Sequence, residues 1–152
     1  MSTHVRKGSH SVFSVKLHFV FVTRYRRKAI TAEMMTRMRE MFSQVCKTMD
    51  CELLEFDGEG DHVHLLVDFH PKHSISAVAG SLKACTSRAM RKEFAEHLKQ
   101  FYWSDARPSG DPTRKVHQDK NVFWSGSYYV ASSGGAPIEV LKQYINNQET
   151  PE

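Results

Sequence analysis

Two short stretches of this 152-residue chain carry side chains suited to chemistry on a charged substrate. The first is Asp61-His62-Val63-His64, followed by Leu65-Leu66-Val67. In a strand, side chains alternate between faces, so His62 and His64 share one face, about 7 Å apart, while Val63 points to the other. Two imidazoles so placed can grip one divalent cation. An exposed histidine pair without a ligand has the same spacing, and these residues alone leave both readings open. The second stretch holds Tyr144 and Gln148. A spacing of four puts both on one face of a helix. Taken alone, the pair reads as an amphipathic tyrosine at a core edge beside a solvated glutamine.

The elements that must position these groups follow from hydrophobic periodicity. Residues 12–23 (VFSVKLHFVFVT) alternate as a strand, polar at its start and buried on both faces later. Residues 31–49 repeat Met34, Met35, Met38, Met41, Phe42, Val45 and Met49 at helical steps behind Thr31 as N-cap, a stripe that reads as core. Residues 51–57 and 62–69 read as a hairpin about the turn Gly58-Glu59-Gly60-Asp61, and Pro71 ends it. Ser74 caps a helix over 75–98, with Lys83, Arg88, Arg91 and Lys92 on its exposed side. Residues 122–131 resume strand character, and 136–148 form a final helix with Pro137 in its first turn. The order β-α-β-β-α-β-α predicts an α+β fold. Its first six elements form the ferredoxin-like (RRM-like) βαββαβ antiparallel sheet with helices on one face, and the C-terminal helix carries the tyrosine.

Composition narrows the class. The chain is sized for one domain, 1–152. Residues 104–121, with two prolines, a glycine and many charges, read as an insertion-like loop. A formal charge of +4 permits a polyanionic partner without demanding one. No apolar run approaches the roughly 20 residues of a membrane span, and the polar, basic N-terminus shows no secretory pattern. Cys46, Cys51 and Cys85 lack a C-x-x-C spacing and read as reduced, buried thiols in a cytoplasmic protein.

Five blocks, in order, resemble the single-tyrosine HUH transposases of the small bacterial insertion-sequence-two-hundred type, with their REP-associated tyrosine transposase relatives. They are Leu17 to Arg26 (LHFVFVTRYR), Gly60 to Val67 (GDHVHLLV), Lys83 with Thr86-Ser87-Arg88, Phe123 to Ser132 (FWSGSYYVAS), and Tyr144 to Gln148 (YINNQ). The resemblance spans nearly the whole chain. It implies a metal-dependent, single-stranded DNA endonuclease and strand transferase that recognises DNA hairpins and works through a 5′-phosphotyrosine. It further implies Tyr144 as nucleophile, His62, His64 and Gln148 as metal ligands, and Mg²⁺ or Mn²⁺ as the ion. A homodimer is implied too, with the tyrosine helix of one subunit acting in trans beside the His pair of the other.

Further expectations attach to this frame. Arg24, Arg26, Arg27 and Lys28, and the Lys83, Arg88, Arg91 and Lys92 side, are candidates for phosphate contacts, against solvated faces. Tyr25, Tyr128 and Tyr129 are candidates for base stacking, against core packing. Gly134-Gly135 is a candidate hinge for the last helix, or a simple turn. The 104–121 stretch departs from the usual quick passage into the Phe-Trp-Ser strand, as a solvent loop or a DNA-contacting flap. Rival readings are a domesticated relative that processes chromosomal repeat hairpins, a non-catalytic ferredoxin-like nucleic-acid-binding dimer, and a structural zinc protein. The last is disfavoured because the His pair lacks partners at closed-site spacing.

Overall fold

A computed structural model describes residues 5–8, 10–102, 122–132 and 138–148. The insertion-like stretch 104–121 and the candidate hinge Gly134-Gly135 lie outside them. The strands are β1 Arg6–Lys7, β2 Val12–Phe13, β3 Lys16–Val22, β4 Glu52–Gly58, β5 His62–Asp68 and β6 Tyr129–Ser132. The helices are α1 Ala32–Thr48, α2 Ile75–Glu93, α3 Ala95–Tyr102 and α4 Ile138–Asn146.

Four strands form an antiparallel sheet in the order β4-β5-β3-β6. This is the ferredoxin-like order, with the first and third strands of the βαββαβ unit side by side at the centre. Leu17, Phe19 and Phe21 of β3 lie opposite Val67, Leu65 and Val63 of β5, and all six are buried. α1 and α2 cover that face. Met34, Met38, Phe42 and Val45 from α1, and Val78, Leu82 and Met90 from α2, join the same core. Each fully buried side chain of this size contributes about 1.5–3 kcal/mol. Thr31 caps α1 by accepting from the Met34 amide at 3.2 Å, and Ser74 caps α2 by accepting from the Ala77 amide at 3.1 Å. Such caps contribute about 1 kcal/mol each. Among the described residues no helix is long and apolar enough to cross a membrane.

Three boundaries differ from expectation, each for a physical reason. The strand expected over 12–23 breaks at Ser14-Val15, because β2 pairs with β1 in a separate small hairpin. The helix expected over 75–98 splits at Phe94, where the backbone leaves helical values (φ −122°, ψ 33°) while its amide still closes on Met90. The strand expected over 122–131 makes only a bridge from Trp124 to Thr23 before β6 begins at Tyr129. Between them, Ser125 to Tyr128 leave the ladder. The Trp124 indole N–H is held by the Thr86 hydroxyl at 3.0 Å, so the departure starts from a pinned residue.

Gly58 closes the β4–β5 hairpin beside His62. A Cβ there would press on the His62 carbonyl and lie 2.8 Å from the Val63 Cα. Both are backbone atoms, so the strain has no flexible outlet. Gly58→Ala is therefore expected to destabilise the fold by about 1–3 kcal/mol, read as a lower urea midpoint. An unchanged midpoint would mean that the hairpin adjusts freely.

Candidate active site

The core packing of Val63, Leu65 and Val67 turns His62 and His64 to the other face of the sheet. There His62 lies opposite Val22, and His64 lies between Val20 of β3 and Asp57 of β4. The two rings are near parallel with centroids 6.2 Å apart. The Asp61 carboxylate stands 2.9 Å from His62 Nδ1. If Nδ1 carries the proton, the carboxylate orients the ring and leaves Nε2 free for a cation. Burial lowers the His64 pKa, opposed by Asp57. A neutral imidazole is the form that ligates metal. Glu59, Asp61 and His62 also bring ligand atoms within 4.8 Å of one another, a second set able to hold an ion. His18 had no assigned role. It packs edge-on against His64 at 5.5 Å, and burial, then His64, lowers its pKa. Period-two alternation in β3 was the available signal, but only the β3–β5 register shows that the two rings meet.

α4 brings the second group to this face. The Tyr144 ring packs on Tyr129 at 5.6 Å, and Tyr129 lies opposite Val20 on the histidine side of the sheet. The Tyr144 hydroxyl meets Ser127 Oγ at 3.0 Å. Gln148 Oε1 accepts from Ser125 Oγ at 3.1 Å and from Ser127 Oγ at 3.4 Å. Ser127 has one proton, so when it donates to Gln148 the phenol must donate to it. Burial raises the Tyr144 pKa, and the Ser127 bond works against that rise. Nucleophilic use of the phenol would therefore need nearby positive charge or a base. Lys142, a weak candidate for that charge, is exposed.

The basic turn Arg24-Tyr25-Arg26-Arg27 joins the two groups. Tyr25 and Arg26 hold left-handed backbone (φ 60° and 52°), uncommon for bulky residues. The turn is fixed by Arg24 N–H to Phe123 O and Arg26 N–H to Thr23 O, both 2.9 Å, and by Tyr102 Oη donating to Arg24 O at 3.0 Å. From it Arg26 reaches Asp61 Oδ2 at 3.8 Å and donates to Asn146 O in the last turn of α4 at 3.4 Å. Asp61 and Arg26 thus tie the histidine strand to the tyrosine helix. Tyr25 lies beneath the Arg24 and Arg27 guanidiniums, and Tyr128 packs on Phe19 and Phe21 at the core side.

The other basic residues are placed differently. Lys28 is exposed. Arg88, Arg91 and Lys92 lie on α2, across the sheet from the histidines; Arg88 and Lys92 are exposed, and Arg91 bonds Ser87 at 3.2 Å. Lys83 is half-buried rather than on an open side. Its ammonium donates to the carbonyls of Ser125 at 2.7 Å and Ser127 at 3.3 Å. Cys46 and Cys51 are buried free thiols, and Cys85 is only partly covered.

The α+β fold, together with the family that the sequence matches, puts the chain in a class of DNA-processing enzyme, the transposases. The sequence matches the family described as "Transposase IS200 like" over residues 11–107 and 109–148, and the chain belongs to that family. It is 26% identical over 140 residues to the transposase for insertion sequence element IS200 of Salmonella typhimurium, covering 92% of this chain and 80% of that one. It is 20% identical to the ISDra2 transposase TnpA of Deinococcus radiodurans, over 97% and 94% of the two chains. A crystal structure of a Deinococcus radiodurans protein described as a transposase superposes with TM-score 0.77 and 25% identity, over 96% of this chain and 99% of that one. A REP-associated tyrosine transposase bound to a REP hairpin shares the fold at TM-score 0.51 and 11% identity, over 97% of this chain and 70% of that one.

Burial holds His18 and His64 below the ordinary value of 6.5. The unfolded chain therefore protonates them first as pH falls. Stability from these groups is complete above about 6.5 and is lost as pH drops through their lowered values. The thermal midpoint of metal-free protein should fall across that window, and His18→Gln should flatten the fall. A midpoint constant from pH 7 to pH 5 would contradict this.

Proposed function

We propose that the chain cuts and rejoins single-stranded DNA at element ends, with Tyr144 as nucleophile and His62, His64 and Gln148 as ligands of Mg²⁺ or Mn²⁺. The observation that carries this is the meeting of Tyr144 and Gln148 at Ser125 and Ser127, on the sheet face that bears both histidines. The donor set fits a divalent ion. His64 is biased to its neutral form, His62 has a carboxylate at Nδ1, and Gln148 offers an amide oxygen. A bound divalent ion would supply Lewis-acid polarisation of the phosphodiester.

The chain's own groups do the rest. The phenol gives up its proton to solvent and Tyr144 Oη attacks phosphorus. The bond from phosphorus to the 3′-oxygen breaks, and that oxygen takes a proton to leave as a free 3′-OH. The 5′-phosphate stays on Tyr144 as an ester, so the energy for rejoining is retained. Attack by a 3′-OH on this ester reverses the step and releases the tyrosine. Arg24, Arg26, Arg27 and Lys28 flank the site and suit phosphate binding, while Arg88, Arg91 and Lys92 suit a contact on the α2 side. Tyr25 suits base stacking.

Recognition of hairpin ends is proposed by likeness to the REP-associated relative, whose structure holds a REP hairpin. One tyrosine cuts one strand, and two coordinated cleavages call for a homodimer with the tyrosine helix acting in trans. Gly134-Gly135 remains the proposed hinge. The whole of 1–152 would act as a single domain in the cytoplasm.

Incubation with end-labelled single-stranded hairpin substrate and Mg²⁺ should yield a covalent 5′-linked adduct. Tyr144→Phe should lower its formation by at least roughly 10³-fold, EDTA should abolish it, and His62→Ala should stop cleavage with hairpin binding retained. An adduct persisting in Tyr144→Phe would move the nucleophile elsewhere. Lys28→Ala should weaken binding and reduce the slope of log affinity against log salt by about 0.7. An unchanged slope would remove Lys28 from the phosphate contacts.

A further inference from the structure

Lys83 begins on α2, in the layer opposite the histidines, yet its ammonium ends at the loop that holds Tyr144 and Gln148. No carboxylate pairs with it among the described residues. Burial, then the nearby Arg24, pushes its pKa down. A lysine kept where its charge is disfavoured has another use for its donors, and here they are spent on two carbonyls two residues apart.

That grip adds to two other ties on the loop: the Trp124 indole held by Thr86 at its start, and the Ser125 hydroxyl reaching Ser127 O at 3.5 Å. Gly126 lies at its centre, and a Cβ there would meet nothing within 4 Å. Gly126 and Ser127 are exposed. One end is tied by the Ser125 amide to Val22 O at 2.7 Å. Lys83 bridges the two ends, through Ser125 O and Ser127 O. The hydroxyls of these same serines reach Gln148 Oε1 and the Tyr144 hydroxyl.

We propose that Lys83 is a positioning residue. By fixing the Ser125-Gly126-Ser127 loop it sets where Ser125 and Ser127 hold the Tyr144 hydroxyl and the Gln148 amide. This rests on the reading of Tyr144 as nucleophile. Lys83 acts through the loop and is not itself a contact to DNA.

The test is single-turnover cleavage of a hairpin-bearing single strand by full-length protein at saturating Mn²⁺. Lys83→Met should lower the rate at saturating DNA by roughly 10–100-fold, the scale of an ångström's misplacement. DNA affinity and its salt slope should stay as in the unsubstituted chain, and Lys83→Arg should restore much of the rate. Ser127→Ala, which leaves both carbonyls in place, should also slow cleavage. The double variant should lose no more than the worse single one, because both act through one loop. If Lys83→Met fails to fold, Ser127→Ala and Lys83→Arg carry the test: full activity in the first, or none in the second, overturns the proposal. Weaker DNA binding with a reduced salt slope and an intact saturating rate would make Lys83 a phosphate contact and overturn it. Additive losses in the double variant would overturn it too. An adduct surviving Tyr144→Phe would instead remove the underlying reading, so the two failures are distinguishable.

Discussion

The alternation of side chains along β5 is the constraint on which the rest depends. Val63, Leu65 and Val67 are fully buried against α1 and α2. Slipping the β3–β5 register by one residue would expose all three and drive His62 and His64 into the core. Unpaired buried imidazoles and exposed valines would both be penalised, so the register is strongly specified. Packing on one face thus fixes where the two imidazoles stand on the other. Gly58 adds to this, since only a residue without a side chain fits against the His62 and Val63 backbone.

Fixing the histidines does not fix the tyrosine, which comes from a helix about 80 residues further along the chain. Two polar links bridge that distance. Arg26 spans from Asp61 to the last turn of α4. A cation there also complements the carbonyl end of a helix. The serine loop holds the functional ends of Tyr144 and Gln148, and Lys83 and Trp124 anchor that loop to α2. Such contacts are individually weak and can be exchanged. That suits the proposed role of α4, to hold Tyr144 in place as nucleophile and also to release it.

How much of this was legible in the sequence varies with the range of the interactions involved. The stripe of Met34, Met38 and Phe42 and the alternation around His62-Val63-His64 are local patterns, and both elements fall within a residue or two of expectation. Thr31 and Ser74 act as caps for local reasons as well. The loop at Ser125 to Ser127 was not legible, because VFWSGSYYVA reads as one strand. It leaves the ladder through bonds from Thr86 and Lys83, some 40 residues away. The edge-on contact of His18 with His64 was hidden in the same way, by an unknown register. Asp61 stood in plain view beside His62, but its role depends on a side-chain rotation that spacing does not encode. The roles of Tyr144 and Gln148 came from the family resemblance. Their spacing alone favours a core-edge tyrosine beside a solvated glutamine.

The most direct test of the account is to locate the covalent bond itself. Protein trapped on a single-stranded hairpin substrate with Mn²⁺ would be digested and its nucleotide-bearing peptide sequenced by mass spectrometry. The account predicts one modified residue, Tyr144, carrying a 5′-phosphate ester, with a free 3′-OH on the released strand. A bond to any other residue, or a 3′-phosphate on the enzyme, would contradict it.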